Sequence, residues 1–203
     1  MAWAPDYITL QELRDFLEVP DDNTENDPLL ATYITAASRA IDMACHPGGL
    51  RQFGKTDAPE ERTYVAEWRA ERGRWVVVTD DFMTAPTAVT AGGVAVTGWR
   101  AEPRNAPTRG RPYERLVLEI GSAVVPAYPE YEVAVTAVWG WTAVPVQIKL
   151  ATRLQASRFD FRQASPSGVA GSPEQGNELR LLARLDPDVA VNIAGYARLG
   201  RPQ

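Results

Sequence analysis

Histidine and cysteine are almost missing from this chain of 203 residues, which has one of each. With Cys45 alone there is no internal disulfide, which fits folding in a reducing cytoplasm. A structural zinc needs about four Cys or His ligands. Cys45 and His46 are also sequence neighbours, whose side chains do not converge on a helix. The reading is a cysteine packed as a small hydrophobe, with His46 near the last helix carbonyls. Any Ser/His or Cys/His nucleophile would have to use His46. No G-x-S-x-G elbow and no G-x-G-x-x-G after a strand occurs, and Gly168-Val-Ala-Gly171 lacks the Lys-Ser/Thr of a phosphate-binding loop. No run of about 18 apolar residues exists, so no transmembrane helix is expected. Met-Ala-Trp-Ala-Pro-Asp has neither a basic region nor an apolar stretch, so no secretory signal is expected. Lysine is scarce too: only Lys55 and Lys149 stand among the 21 basic residues.

Composition is that of an ordinary globular protein, 45% hydrophobic and 23% charged, and the length allows a core to be buried unaided. The net charge of -5 is unevenly spread. Residues 1–46 carry 2 basic and 9 acidic side chains, residues 47–141 carry 11 and 12, and residues 142–203 carry 8 and 5. An acidic head and a basic tail suit contacts between copies or with a partner. Overall acidity argues against broad DNA wrapping.

Thr9-Leu10-Gln11-Glu12 fits a capping box, with Ile8 and Leu13 at staple positions. It opens a helix with Leu10, Leu13, Phe16 and Leu17 on one stripe, ended by Pro20. A second helix runs from Asp27, read as N-cap before Pro28, to Cys45, and His46-Pro47-Gly48-Gly49 stops it. Leu30, Tyr33, Ile34, Ala37 and Ile41 are its stripe, and its alanines keep it thin.

The middle changes character. Strands are expected at Arg62–Trp68, Arg74–Thr79, Ala88–Val89 paired with Val94–Thr97, Arg115–Ile120 and Tyr131–Val138. In the last of these Val133, Val135 and Ala137 share a face. Ala101 to Pro112 holds Pro103, Pro107 and Pro112, so it cannot be a central strand and reads as a long exposed loop. A third helix begins near Pro145, with Ile148, Ala151, Leu154 and Phe159 pointing one way. Ser165 to Asn177 reads as loop and Asn177 to Leu185 as strand. Asp186-Pro187 opens a final helix carrying Val189, Ile193 and Tyr196.

The expected fold class is therefore α+β: a helical lobe built from both chain termini, with an inserted β-rich lobe. The expected domains are residues 1–54 with 142–203 for the helical core and 55–141 for the insertion. Two acidic pairs could hold Mg²⁺ or do acid–base work, Asp80-Asp81 and Asp186 with Asp188. The plainer reading is a turn for the first pair, and an N-cap with a first-turn acid for the second. Six tryptophans are many for this length. Trp139-Gly140-Trp141 reads as packing at the join of the two lobes.

Several motifs follow one another in a particular order. They are Tyr7-Ile-Thr-Leu-Gln-Glu-Leu with the acidic loop and second helix, Trp139-Gly140-Trp141 before Val144-Pro145, Ser165-Pro166 with Gly168, and Asp186-Pro187-Asp188-Val189 leading to Tyr196. This order resembles the head-to-tail connector (adaptor, head-completion) proteins of tailed double-stranded-DNA phages, over residues 7–54 and 138–199. The resemblance implies a virion structural protein of the neck, made in the host cytoplasm, without catalytic residues, metal or cofactor. It implies a homo-oligomeric ring, a dodecamer, beneath the portal protein. Such a ring extends the channel for genomic DNA without sequence-specific binding, and it docks a stopper or tail protein. The β insertion is larger than in the smallest members.

On that footing the acidic segment (Asp15, Glu18, Asp21, Asp22) and the basic helix face (Lys149, Arg153, Arg158, Arg162) are subunit-interface candidates. Ile193, Tyr196, Arg198 and Leu199 are portal-docking candidates. Two rivals stay open. One is an enzyme using Asp80-Asp81 and a metal. The other is a monomeric binding module using Trp68, Trp75 or Trp99 of the β insert.

Overall fold

The computed structural model describes residues 4–46, 51–119, 126, 131–164, 169–170, 179–180 and 185–198. The chain divides into two compact units, one of them Gln52–Ala143, the other Ala4–Arg51 together with Val144–Gln203. The first is a β unit and the second is helical, so the fold is α+β, and the helical unit draws on chain from both sides of the β unit.

The β unit contains β1 (Glu60–Arg69), β2 (Arg74–Phe82), β3 (Ala88–Ala91), β4 (Val94–Ala95), β5 (Trp99–Glu102), β6 (Tyr113–Leu118) and β7 (Glu132–Ala137). They form a seven-stranded antiparallel sheet in the order β4-β3-β7-β1-β2-β6-β5. Strand β1 belongs to both halves. Glu60 to Val65 pair with β7, and Ala66 to Arg69 pair with β2. The sheet therefore curls about β1. Its inner face buries Ala66, Val77, Val89, Leu116, Leu118, Val133, Val135, Ala137 and Trp139. The alternation read in β7 is the one observed, because a period of 2 puts every second side chain on one face.

The β3–β4 turn is Gly92-Gly93, with φ of +58° and +79°. Two successive positive φ values define the hairpin turn that matches strand twist, and glycine adopts them without a Cβ penalty. Strand β5 is not among the expected strands. The segment expected to be loop from Ala101 gives its first two residues to this strand. β5 lies at an edge of the sheet, where a following proline is tolerated.

The helical unit has α1 (Leu10–Leu17), α2 (Asp27–Cys45), α3 (Val146–Ala164) and α4 (Pro187–Ala194), with a short ladder of β8 (Val169–Ala170) and β9 (Leu179–Arg180). The capping box of α1 is formed: the Glu12 amide donates to Thr9 Oγ1 at 3.1 Å, and the Thr9 amide donates to Glu12 Oε2 at 2.9 Å. Leu13, Leu30, Ile34, Ala37 and Ala156 form the core between α1, α2 and α3. Alanine at 37 and 156 lets the backbones approach closely.

Asp27 is not the N-cap of α2. That place belongs to Asn26, which makes no side-chain cap. The Asp27 carboxylate instead accepts from Arg14, whose Nη1 bridges its two oxygens at 2.7 and 2.9 Å. Arg14 is buried, and its other terminal nitrogen donates to the Pro20 carbonyl at 2.5 Å. A charge-assisted pair of this geometry outcompetes a single cap bond. The stripe of α1 is also narrower than expected, since Phe16 is exposed. On α3, Ile148 and Ala151 are buried as read, Leu154 and Phe159 only partly, and the polar Thr152 and Gln155 are buried beside them. Asp186 caps α4 through the Asp188 amide at 2.9 Å. The expected stop at Pro47-Gly48-Gly49, the Ser165-Pro166 and Gly168 motif, and most of the expected strand Asn177 to Leu185 lie outside the described residues.

Candidate assembly surfaces

The charged residues of the helical unit fall into two groups. Asp15, Glu18, Asp21 and Asp22 are all exposed, and so is Glu25. Gln11 Nε2 donates to Asp15 at 2.8 Å and to Asp21 at 3.1 Å. These are dipole contacts and leave the negative charge in place.

The basic face of α3 is arranged differently. Lys149 Nζ and Arg153 Nη2 both reach Glu12 Oε1, at 2.9 and 3.2 Å. Arg158 reaches Asp186 at 2.7 Å. Burial disfavours a charged Glu12. The Thr9 amide, the Lys149 bond and the Lys149 and Arg153 charges outweigh it, and hold this carboxyl below its ordinary range. Three of the four basic interface candidates thus tie α3 to α1 and to the start of α4. Arg162 is half-buried in the last turn of α3. No spacing rule pairs Glu12 with residues 149 and 153, so only the tertiary fold reveals these contacts.

The C-terminal candidates lie against their own unit. Ile193 is buried. The Tyr196 hydroxyl donates to Gln147 at 2.8 Å, and Arg51 donates to the Tyr196 carbonyl at 2.6 Å. The Arg198 amide donates to the Cys45 carbonyl at 2.7 Å. Tyr196 and Arg198 remain half-buried, and Leu199 lies outside the described residues.

Asp80 and Asp81 do not share partners. Asp80 accepts from Arg62 at 2.7 Å and from the Tyr64 hydroxyl at 2.9 Å, while Asp81 is buried and accepts from Trp141 Nε1 at 2.9 Å. Arg62 and Tyr64 stand where β1 leaves β2 and pairs with β7 instead, so their bonds to Asp80 bridge the splayed strands. Burial and the neighbouring Asp80 charge push the Tyr64 phenol well above its ordinary value. Burial opposes the Arg62 charge, but Asp80 and Glu60 overcome it and hold the guanidinium more firmly protonated. This is the chemistry of a structural clamp. Among the described residues no three of His, Cys, Asp and Glu are grouped to hold a metal ion. No described helix is long and apolar enough to cross a membrane.

The tryptophans split likewise. Trp139 and Trp141 are fully buried. The Trp139 indole donates to the Glu60 carbonyl at 2.8 Å, with Arg62 over its ring at 5.1 Å, and Trp141 packs on Phe53 at 5.4 Å. Trp68 is 52% exposed, but it meets Trp75 edge-on, at an interplanar angle of 63°. The two rings are therefore not the coplanar platform that a sugar or peptide module would present.

No family model matches this chain, and no curated protein matches it. Solved structures do. A chain in "Neck of empty GTA particle computed with C6 symmetry" matches with a TM-score of 0.58 at 18% identity, covering 100% of this chain and 97% of that one. Its fold is similar to that of a neck chain of a GTA particle. A chain in "Virion of native gene transfer agent (GTA) particle" gives 0.48 at 20% identity, over 91% and 97%. One in "Neck of native GTA particle computed with C12 symmetry" gives 0.47 at 19%, over 92% and 97%. At such identity the likeness is one of fold. The first match takes in both units, so the β insertion is part of the shared architecture.

Proposed function

We propose that this chain is a structural neck protein of a phage-like particle, a head-to-tail adaptor that assembles as a ring beneath the portal. The observation that carries this is the likeness, over 100% of this chain and 97% of the other, to a neck component. The motif order that resembles connector proteins supports it independently. In this reading the protein is not an enzyme, and Asp80 and Asp81 serve the fold. The ring extends the DNA channel without sequence-specific contacts and offers a docking surface to a stopper or tail protein. Twelve copies are compatible with the sixfold symmetry of that neck. The acidic segment and Arg162 face neighbouring copies, with Lys149, Arg153 and Arg158 holding α3 in place behind them. Tyr196, Arg198 and Leu199, in the stretch of sequence after an α4 anchored by Ile193, form the portal-facing end.

The test is light scattering coupled to size exclusion, with the protein alone and mixed with its portal protein. A ring, or a monomer that joins the portal complex, is the expected result. A monomer indifferent to portal would overturn the proposal and turn attention to Trp68.

A further inference from the structure

The acidic segment has no cation of its own. Arg14, the arginine nearest in sequence, turns inward to Asp27. On α3, Lys149 and Arg153 are held by Glu12, and Arg158 by Asp186. Five exposed carboxylates, Asp15, Glu18, Asp21, Asp22 and Glu25, are left without an ion pair among the described residues. Like charges gathered so closely repel one another, and a cationic surface would relieve that.

The β unit has such a surface. Four of its arginines, 62, 69, 100 and 115, are paired with carboxylates. Arg104 and Arg109 are exposed and make no ion pair or side-chain hydrogen bond among the described residues. Their loop is ordered. Ala106 donates to the Pro103 carbonyl at 3.2 Å, and the Ala106 carbonyl accepts from the amides of Arg109 at 2.9 Å and Arg111 at 3.0 Å. Thr108 closes it further through the Asn105 carbonyl at 2.7 Å, and Ala106 and Pro112 are buried beneath it. Residues 99–115 hold five arginines and two glutamates, +3 in a chain whose net charge is -5. A guanidinium on a preorganised loop loses little freedom on binding and presents a fork that matches a carboxylate.

We propose that the loop carrying Arg104 and Arg109 docks on a second copy of this chain, through that copy's acidic segment from Asp15 to Glu25. The inference rests on the reading of the chain as a self-assembling neck protein, and it names the surfaces that meet. Charge complementarity selects the occupant. Nucleic acid is the weaker one, because two free guanidiniums neutralise about two phosphates, too few for stable binding at physiological salt. The two surfaces differ, so the contact is heterologous. Each copy gives one surface and receives one, and repetition closes a ring.

The experiment is sedimentation velocity over a concentration series at low and high salt. The proteins are the parent, R104E/R109E, D21R/D22R, and the chain carrying all four changes. The parent should associate, and salt should weaken it. Each double variant should associate about tenfold more weakly or not at all, and melt like the parent, since these side chains are exposed. The fourfold variant, and an equimolar mixture of the two doubles, should associate again because the charges match once more. If the parent forms rings and R104E/R109E does so equally, or if the fourfold variant does not recover, the contact proposed here is wrong and the neck reading stands. If R104E/R109E self-associates normally but loses binding to a fluorescent DNA duplex, the occupant is nucleic acid. A parent that stays monomeric and ignores portal overturns both.

Discussion

The indole of Trp141 donates to the Asp81 carboxylate at 2.9 Å, joining the end of β2 to the Trp-Gly-Trp segment 60 residues later. Gly140 between the two rings has φ of +93°, and its amide donates to the Asp81 carbonyl at 2.6 Å. A residue of the first candidate acidic pair thus has a structural use through both its side chain and its backbone. Trp141→Phe keeps most of the ring against Phe53 but removes the donor from a buried carboxylate. The expected loss is about 1–3 kcal/mol of unfolding free energy, read from urea denaturation. Asp81→Asn, which keeps an acceptor for the indole, should lose less. Equal stability of Trp141→Phe and the parent would show that the bond contributes nothing.

Asp42 on α2 sets a pH dependence. Its carboxylate is buried, accepts a hydrogen bond from the Tyr7 hydroxyl and faces Arg39 Nε at 2.9 Å. Burial pushes this carboxyl up to about 6 from 3.8, against the lowering pull of Tyr7 and Arg39. Between those values the folded protein keeps a proton that the unfolded chain has released. The stabilisation is therefore complete below about pH 4 and lost as pH rises through about 6, by up to about 3 kcal/mol. Glu12 has the opposite sign. Its folded value is depressed, so its contribution is present above the ordinary carboxyl range and lost as pH falls. Urea midpoints at pH 4.5, 6 and 7.5 for the parent and Asp42→Asn check this. The decline towards pH 7.5 should be smaller in Asp42→Asn, and identical slopes would contradict it.

Charge reversal on α3 should act on the fold before it acts on assembly. Arg153→Glu sets a second carboxylate beside Glu12, which already shares one oxygen between Lys149 and Arg153. The expected cost is roughly 1–2 kcal/mol at low salt, shrinking as salt is raised. Thermal melts of dilute protein at two salt concentrations check this. A parent-like melt for Arg153→Glu would show that Arg153 is free for a neighbour after all.

Much of this architecture was legible from local rules. Thr9 and Glu12 announce α1 because both capping bonds close within four residues. Asp186-Pro187 announces α4 for the same reason, and the alternation of Val133, Val135 and Ala137 gives the inner face of β7. Strand β5 is hard to read because prolines follow it, and an edge position excuses what a central one would forbid. Asp27 has the sequence place of an N-cap, but Arg14 takes its carboxylate. The basic face of α3 was readable as charge, but its destination was not.

The four helices, the helical unit drawn from two stretches of chain, the inner face of β7 and the order of motifs that resembles connector proteins were all readable from residue order. These rest on interactions spanning a few residues, or on a period of 2 or 3.6. Only the tertiary structure decided which charges are used up inside the chain and which are left over. Lys149 and Arg153 meet Glu12 across more than 130 residues, while Arg104 and Arg109 meet no carboxylate among the described residues. Coulomb attraction depends on distance in space, and folding sets that distance between residues far apart in the chain.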